Sequence, residues 1–244
     1  MHHKYAVVDG EAVWTGSTNW TDDSWTREEN VVVMARSTGL ARAYTRDFDD
    51  LWSTGEVGSS GHFDPSMTGI DGAAVQPWFS PGKGKALARR IAHAIATAKR
   101  RVRVCSPVIT AGLIVRPLAD VVRARSVDVA GVCDGTQMRE VLGQWRTNPA
   151  SAWKIPVLGA IFADAPFGSK RSTPYGPGTI HDYMHAKVTV VDDVVFVGSY
   201  NLSGAGQENA ENVLEIHDPV LADRLAGFID GLRTRYPDPP AWPA

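Results

Sequence analysis

Two histidines in this chain sit inside the same spaced pattern. His2-x-Lys4-x4-Asp9 returns as His185-x-Lys187-x4-Asp192. The first string is followed by Gly16-Ser17-x-Asn19 and Glu29-Asn30, the second by Gly198-Ser199-x-Asn201 and Glu211-Asn212. With 7 His, 7 Lys and 19 Asp in 244 residues, random placement yields roughly 0.015 copies of the opening string, so two copies are not chance. The residue types point to an anion. On a strand, positions i and i+2 share a face, so each histidine projects with its lysine. Two imidazoles exchange protons near neutral pH and two ammonium groups hold oxyanions. Asn19 and Asn201 add neutral amide donors, and the turns at Ser17 and Ser199 let backbone approach an anion closely. Glu29 and Glu211 are expected to hydrogen-bond one imidazole nitrogen and fix the tautomer of the other. This set suits one phosphate group.

The elements that must hold these groups also repeat. Residues 31–34 and 213–216 read as strands, each leading into an amphipathic helix. One helix carries Leu40, Tyr44, Phe48 and Leu51, the other Leu221, Leu225, Phe228 and Leu232, both at three-and-four spacing. Ser37 suits one N-cap, and Asp218-Pro219 an N-cap and N1 pair. Residues 53–74 are rich in Gly and Ser without periodicity and read as a linker. From 75 onward strands alternate with helices: strand 75–79, a helix capped by Ser80-Pro81, strand 101–105, helix 113–125, strand 127–133 and helix 138–145. That alternation predicts βαβ units and a mainly parallel sheet, with antiparallel hairpin character around Asp192.

Composition narrows the classes. At 43% hydrophobic and 21% charged residues, the chain reads as globular, not disordered. No apolar run approaches the roughly 18 residues a membrane helix needs. A formal net charge of -2 removes any whole-chain argument for nucleic acid. Cys105 and Cys133 are too few for a disulfide framework or a cysteine zinc site, and both sit in apolar runs as expected core thiols. The chain opens directly in a strand-like run, with no signal peptide in these residues. The compartment is left open, since export would need a leader ahead of Met1.

The paired motifs resemble those of the phospholipase D superfamily, phosphodiesterases named for their His-Lys-Asp signature, and its bacterial two-motif members in particular. Trp78-Phe79-Ser80-Pro81 is similar to the strand that opens their second half. The resemblance implies an α/β fold: a phospholipase D-like mixed sheet flanked by helices, a pseudo-twofold repeat with a truncated first half. Residues 1–52 would close the first half and carry motif one, 53–74 link, 75–236 form a complete second half with motif two, and 237–244 form a Pro-rich tail. Family members carry a full sheet before the first motif, whereas here only Met1 precedes His2. The expectation is a fragment, a misplaced start or one piece of a split protein.

The resemblance also implies a two-step reaction on phosphodiesters, phospholipids foremost, with no metal and no cofactor. One histidine attacks phosphorus to give a covalent phosphohistidine while the other protonates the leaving oxygen, then activates water or an acceptor alcohol. By that likeness His2 is the nucleophile and His185 the general acid. Lys4, Lys187, Asn19 and Asn201, with Ser17 and Ser199, would bind phosphoryl oxygens, while Asp9 and Asp192 would stabilise the site. A superfamily nuclease and a catalytically inactive fragment are the alternatives; the first prefers a basic cleft, which the net charge does not favour. His3, His62, His93 and His217 are expected to be structural by default, and so is His181, although it lies closest to the second motif. Lys170 and Arg171 are expected in a solvated loop, and the run 99–101 at a helix end. Trp20 and Trp25 are candidates for an acyl or base pocket, while Trp52 and Trp145 should pack.

Overall fold

A hairpin opens the chain: β1 (Tyr5–Val8) and β2 (Ala12–Gly16), then the short helix α1 (Asp22–Thr26), β3 (Val32–Arg36) and helix α2 (Thr38–Thr54). The second unit begins with β4 (Thr68–Ile70), β5 (Ala73–Ser80), α3 (Gly84–Ala96), β6 (Arg101–Ser106) and α4 (Gly112–Ala124). It continues through β7 (Asp128–Asp134), α5 (Gly135–Arg146), α6 (Pro149–Ala152), α7 (Lys154–Asp164) and β8 (Phe167–Lys170). Last come β9 (Val188–Val191), β10 (Val194–Gly198), α8 (Gly204–Glu208), β11 (Glu211–His217) and α9 (Pro219–Arg235). These come from a computed structural model that describes residues 1–243.

The strands form two sheets. One is three-stranded and antiparallel in the order β1-β2-β3. The other is eight-stranded and mixed, in the order β4-β5-β11-β10-β9-β6-β7-β8, with β6, β7 and β8 parallel. The triplet β9-β10-β11 repeats β1-β2-β3. Gly16 pairs with Val32 and Gly198 with Val213, so the two triplets share one register. Strands β9 and β10 are almost wholly buried, which matches their unbroken valine-rich runs. Helices α3, α4 and α7 cover one face through Ile91, Ile95, Ile114, Leu118 and Ile161. Helices α2 and α9 cover the other through Tyr44, Leu225 and Ile229.

The matching outer face of the three-stranded sheet carries no helix among the described residues. Trp14 and Val32 occupy the positions of Phe196 and Val213 in the shared register. Phe196 and Val213 are buried, while Val32 and its neighbours Val8 and Met34 are exposed. The first unit is thus three strands and two helices, the second a full layered α/β unit.

Local chemistry explains the helix ends. Ser37 Oγ accepts from the Leu40 N–H at 3.2 Å, and Asp218 Oδ1 accepts from Val220 at 2.8 Å and Leu221 at 3.0 Å. Pro81 does not start α3; that helix begins at Gly84, and Ser80 Oγ instead donates to the Gly206 and Asn209 carbonyls. Phe48 leaves the core face of α2, where Asp47 takes the buried place. Asp47 accepts from Ser60 Oγ and the Gly61 N–H and faces His3 Nε2 at 3.1 Å.

The stretch read as a linker is therefore tied down, and it ends in β4 on the sheet edge. Helix α7 and strand β8 carry no clear periodicity in the sequence. The tail docks as well: Trp242 Nε1 donates to the Ile155 carbonyl at 2.7 Å, with its ring against Trp145 and Phe162. Ala244 lies outside the described residues. Cys105 and Cys133 are free and buried, and Trp145 packs, but Trp52 is exposed.

Candidate active site

His2 and His185 lie just before β1 and β9, and each reaches into the opposite unit. The His2 N–H donates to the Ala210 carbonyl and the His185 N–H to the Glu29 carbonyl, both at 3.0 Å. Side chains repeat this exchange. His2 Nδ1 lies 2.7 Å from Glu211 Oε2, at the start of β11. His185 Nδ1 lies 3.2 Å from Asn30 Oδ1 and 3.4 Å from Glu28 Oε2, just before β3. Each imidazole is thus anchored at Nδ1 by the other half, which leaves Nε2 for chemistry. Lys4 Nζ donates to the His2 carbonyl at 2.8 Å and Lys187 Nζ to the His185 carbonyl at 2.6 Å. Each ammonium keeps two further N–H donors.

The partner of His185 departs from expectation. The Ser17 N–H bonds the Val31 carbonyl and the Ser199 N–H bonds the Asn212 carbonyl, both at 2.9 Å. Val31 therefore matches Asn212, and Asn30, not Glu29, matches Glu211. Aligning the two Glu-Asn pairs misplaced the copies by one residue. Glu29 turns away to Lys170 Nζ at 2.5 Å and to the Tyr236 hydroxyl, where it joins the two units and buries Lys170, which is no solvated loop residue. The missing carboxylate is supplied by Glu28, which Ser24 Oγ and Asn30 Nδ2 hold in place. Nothing in the spacing of the motif marked Glu28; the backbone register reveals it.

Four other expected residues also have different places. Ser17 Oγ donates to Asn30 Oδ1 at 2.7 Å and Ser199 Oγ to Glu211 Oε2 at 2.6 Å. Both hydroxyls orient the histidine partners, so neither is free to donate to phosphate. Asp9 and Asp192 sit in the hairpin turns at the far ends of β1 and β9, with positive φ of 53° and 51°. Asp192 accepts from the backbone N–H groups of Lys99, Arg100 and Arg101 at 2.8, 2.8 and 3.1 Å. Burial pushes its carboxyl up, but these bonds and the Arg100 charge hold it below the usual carboxylate range. Its work is to anchor the segment before β6, and neither aspartate reaches the imidazoles. That segment lies beyond α3, and its cations do not close a helix end: the Arg100 guanidinium pairs with Asp193, and that of Arg101 pairs with Asp223 and donates to the Asp192 carbonyl.

Asn19 and Asn201 begin the loops after β2 and β10. Neither amide makes a side-chain hydrogen bond among the described residues, and the Asn201 Oδ1 is buried without a partner. Asp134 was not foreseen. It caps α5 through Gln137 N at 3.0 Å and accepts the Met184 N–H at 3.0 Å, fixing the backbone immediately before His185.

The charges share one volume. Burial depresses the His185 pKa well below the ordinary histidine value, and the charges of Lys187, Lys4 and His2 add to the effect. Lys187 is likewise driven well below its usual value by burial and then by Lys4. Lys4 is lowered by burial to about 8, against the pull of Glu211 and Glu28. Both lysines feel the partner of His2 and the partner of His185, so one compact constellation contains all four basic groups. Two buried ammonium groups that repel each other are a preformed receptor for an oxyanion.

Known proteins resemble this chain in family and in fold. Residues 1–52 and 91–232 match the family described as "Cardiolipin synthase, PLD-like domain". A stretch of 52 residues is 42% identical to the mitochondrial cardiolipin hydrolase of Xenopus laevis, covering 21% of this chain and 25% of that protein. The chain thus spans about a quarter of the length of that curated relative. Among solved structures, phosphatidylserine synthase of Haemophilus influenzae Rd KW20 superposes with a TM-score of 0.67 at 13% identity, over 96% of this chain and 61% of that one. NucT from Helicobacter pylori superposes with a TM-score of 0.52 at 19% identity, over 66% of this chain and 96% of that one. Both likenesses are of fold.

Proposed function

The chain belongs to the phospholipase D-like family of phosphodiesterases, and on that premise we propose that it cleaves a phosphodiester, a phospholipid foremost, through a covalent phosphohistidine. The observation that carries this reading is the reciprocal anchoring of two imidazoles beside two buried lysines. The roles follow from surroundings. A nucleophile must be neutral with a free lone pair, and His185 is kept neutral by burial and by three nearby cations. A general acid must hold a proton and exchange it with solvent. His2 is the more exposed ring, at 28% against 10%, and its Nδ1 lies 2.7 Å from Glu211 Oε2, which leaves Nε2 open to solvent exchange. We therefore assign attack to His185 and proton transfer to His2, the reverse of what the family resemblance implied.

In the first step, His185 Nε2 forms a bond to phosphorus while the P–O bond to the leaving alcohol breaks. That oxygen takes the Nε2 proton of His2. In the second step, His2 removes a proton from water, the oxygen attacks phosphorus and the P–N bond breaks, which restores both rings. Lys4, Lys187 and the amides of Asn19 and Asn201 hold the non-bridging oxygens, whose charge grows in each transition state. Glu211 and the Glu28–Asn30 pair keep each Nδ1 proton in place, so that Nε2 is the reacting atom.

Turnover of short-chain phosphatidylcholine and of single-stranded DNA by the wild type, His2→Ala and His185→Ala tests the reading. Loss of activity on the lipid by about 10²- to 10⁴-fold in both variants is the expected result. Wild-type rates on lipid that neither substitution changes would overturn it. Cleavage of DNA alone would transfer the same chemistry to a nuclease.

A further inference from the structure

Beside the paired histidines, at the same end of the large sheet, is a cavity of about 310 Å³ that the chemistry above does not use. The Met184 N–H, just before His185, donates to Asp134 Oδ2 at 3.0 Å, and Asp134 ends β7 and caps α5, whose Thr136 and Gln137 line the cavity. The cavity therefore lies where the parallel strands β6, β7 and β8 end, the usual ligand position in open α/β sheets. Its volume falls in the range of small-molecule sites.

Three features give the cavity a chemical character. First, one face of α5 lines it through Gln137, Glu140 and Gln144, at three-and-four spacing. Second, Tyr175 and Tyr183 close it, clamped by His181, whose ring lies 5.3 Å from the first and 5.0 Å from the second. Third, no lysine or arginine is among its lining side chains. The tyrosine loop is tied across the mouth of the site, because the His181 N–H donates to Asp23 Oδ2 of the first unit at 3.0 Å. Tyr183 connects the two places: it precedes His185 by two residues, and Asp134, Glu140, Glu28 and Asp182 all act on its hydroxyl. Burial and then those carboxylates, Asp134 first, push its pKa up to about 12, so the hydroxyl remains a donor.

We propose that this cavity is the subsite for the alcohol substituent of the diester, and that it takes a hydroxylated or amino alcohol while excluding one that bears a second phosphate. The inference rests on the phosphodiesterase reading and adds the leaving group to it. Amide, tyrosine and carboxylate groups hydrogen-bond hydroxyls and attract ammonium, whereas Glu140 repels a second anion with no cation in the wall to offset it. A phosphate-rich chain such as nucleic acid would meet the same repulsion.

The test compares dihexanoyl phosphatidylglycerol with the same lipid phosphorylated on its terminal hydroxyl, with dihexanoyl phosphatidylethanolamine as a third arm. Equilibrium binding decides the subsite and turnover decides the reaction, so the two readings fail separately. The wild type should bind the phosphorylated lipid at least about tenfold more weakly than either of the others. The preference should shrink to less than about threefold in Glu140→Lys, and Gln144→Lys should move it the same way. Glu140 and Gln144 are exposed residues outside the histidine–lysine constellation, so turnover of a simple methyl diester should be unchanged in both. Equal wild-type binding of the pair, no binding of either, or a preference unmoved by both substitutions overturns the subsite. Which of the two favoured arms binds more tightly tells a polyol headgroup from an amine.

Discussion

Glu28 and Glu29 are adjacent carboxylates with opposite duties, and substitution separates them. Glu28→Gln should lower kcat by about 10²-fold with little loss of stability, because it weakens the anchor at His185 Nδ1. Glu29→Gln should leave kcat near the wild-type value but destabilise the fold by about 3 kcal/mol, since it strips the buried Lys170 of its counter-charge. Denaturant unfolding and steady-state kinetics on the same samples check both. Lys4 gives a pH signature. It titrates at about 8 in the fold against 10.5 for a free lysine, so between those values the unfolded chain binds more protons and stability rises with pH. Below about pH 8 the charged buried lysine costs stability, and a bound oxyanion relieves that cost. Inorganic phosphate should therefore raise Tm more at about pH 7 than at about pH 9.5. An equal or larger rise at the higher pH would remove Lys4 from the anion site. The types and pairing of the basic groups were legible in the sequence. The misassigned Glu29 shows the limit: side-chain identity suggested one alignment of the copies and backbone hydrogen bonding imposed another.

Among the elements, the hairpins act as levers whose two ends differ in purpose. At one end Gly16 and Gly198 let a neighbouring strand pass very close. A Cβ on Gly198 would fall 2.1 Å from the Asn212 carbonyl oxygen, and one on Gly16 2.1 Å from that of Val31. Gly198→Ala should force β10 from β11 at the point where Ser199 holds Glu211, and so depress kcat by about 10-fold or more as well as lowering Tm. At the other end Asp192→Ala should cost about 1–2 kcal/mol by leaving three N–H groups without their acceptor, with kcat nearly unchanged. Thermal unfolding beside kinetics distinguishes the two ends. A large kcat loss in Asp192→Ala at intact stability would place that residue in the chemistry. Periodicity showed α2, α4 and α9 because each has one apolar stripe. It missed α7, whose Ile155, Val157, Leu158, Ile161 and Phe162 are spread too widely for a clean stripe, and it missed β8, where Gly168 and Lys170 break the strand pattern. The segment before β5 looked like a linker because its anchor, the buried Asp47, lies on another element.

For the whole molecule, the site exists only where the two units meet, and Asn212 is the bolt. Its Oδ1 accepts from Thr15 Oγ1 at 2.5 Å and Tyr44 OH at 3.2 Å, while its Nδ2 lies 3.2 Å from His3 Nδ1. Asn212→Leu would leave those groups unpaired in a buried place, for an expected loss of about 2–4 kcal/mol and a parallel loss of activity. The repeat in the sequence announced two similar units. It did not announce that each supplies the anchors for the other's histidine, because no spacing along the chain encodes a contact 209 residues apart. The central claim is that both imidazoles act on one phosphorus, with His185 carrying the covalent bond. Rapid acid quench of the protein turning over a diester radiolabelled at phosphorus, followed by peptide mapping, measures this directly. The label should appear on the peptide holding His185 in the wild type, vanish in His185→Ala and persist longer in His2→Ala, which lacks the base for the second step. Label on His2, or on no histidine while turnover proceeds, would contradict the account.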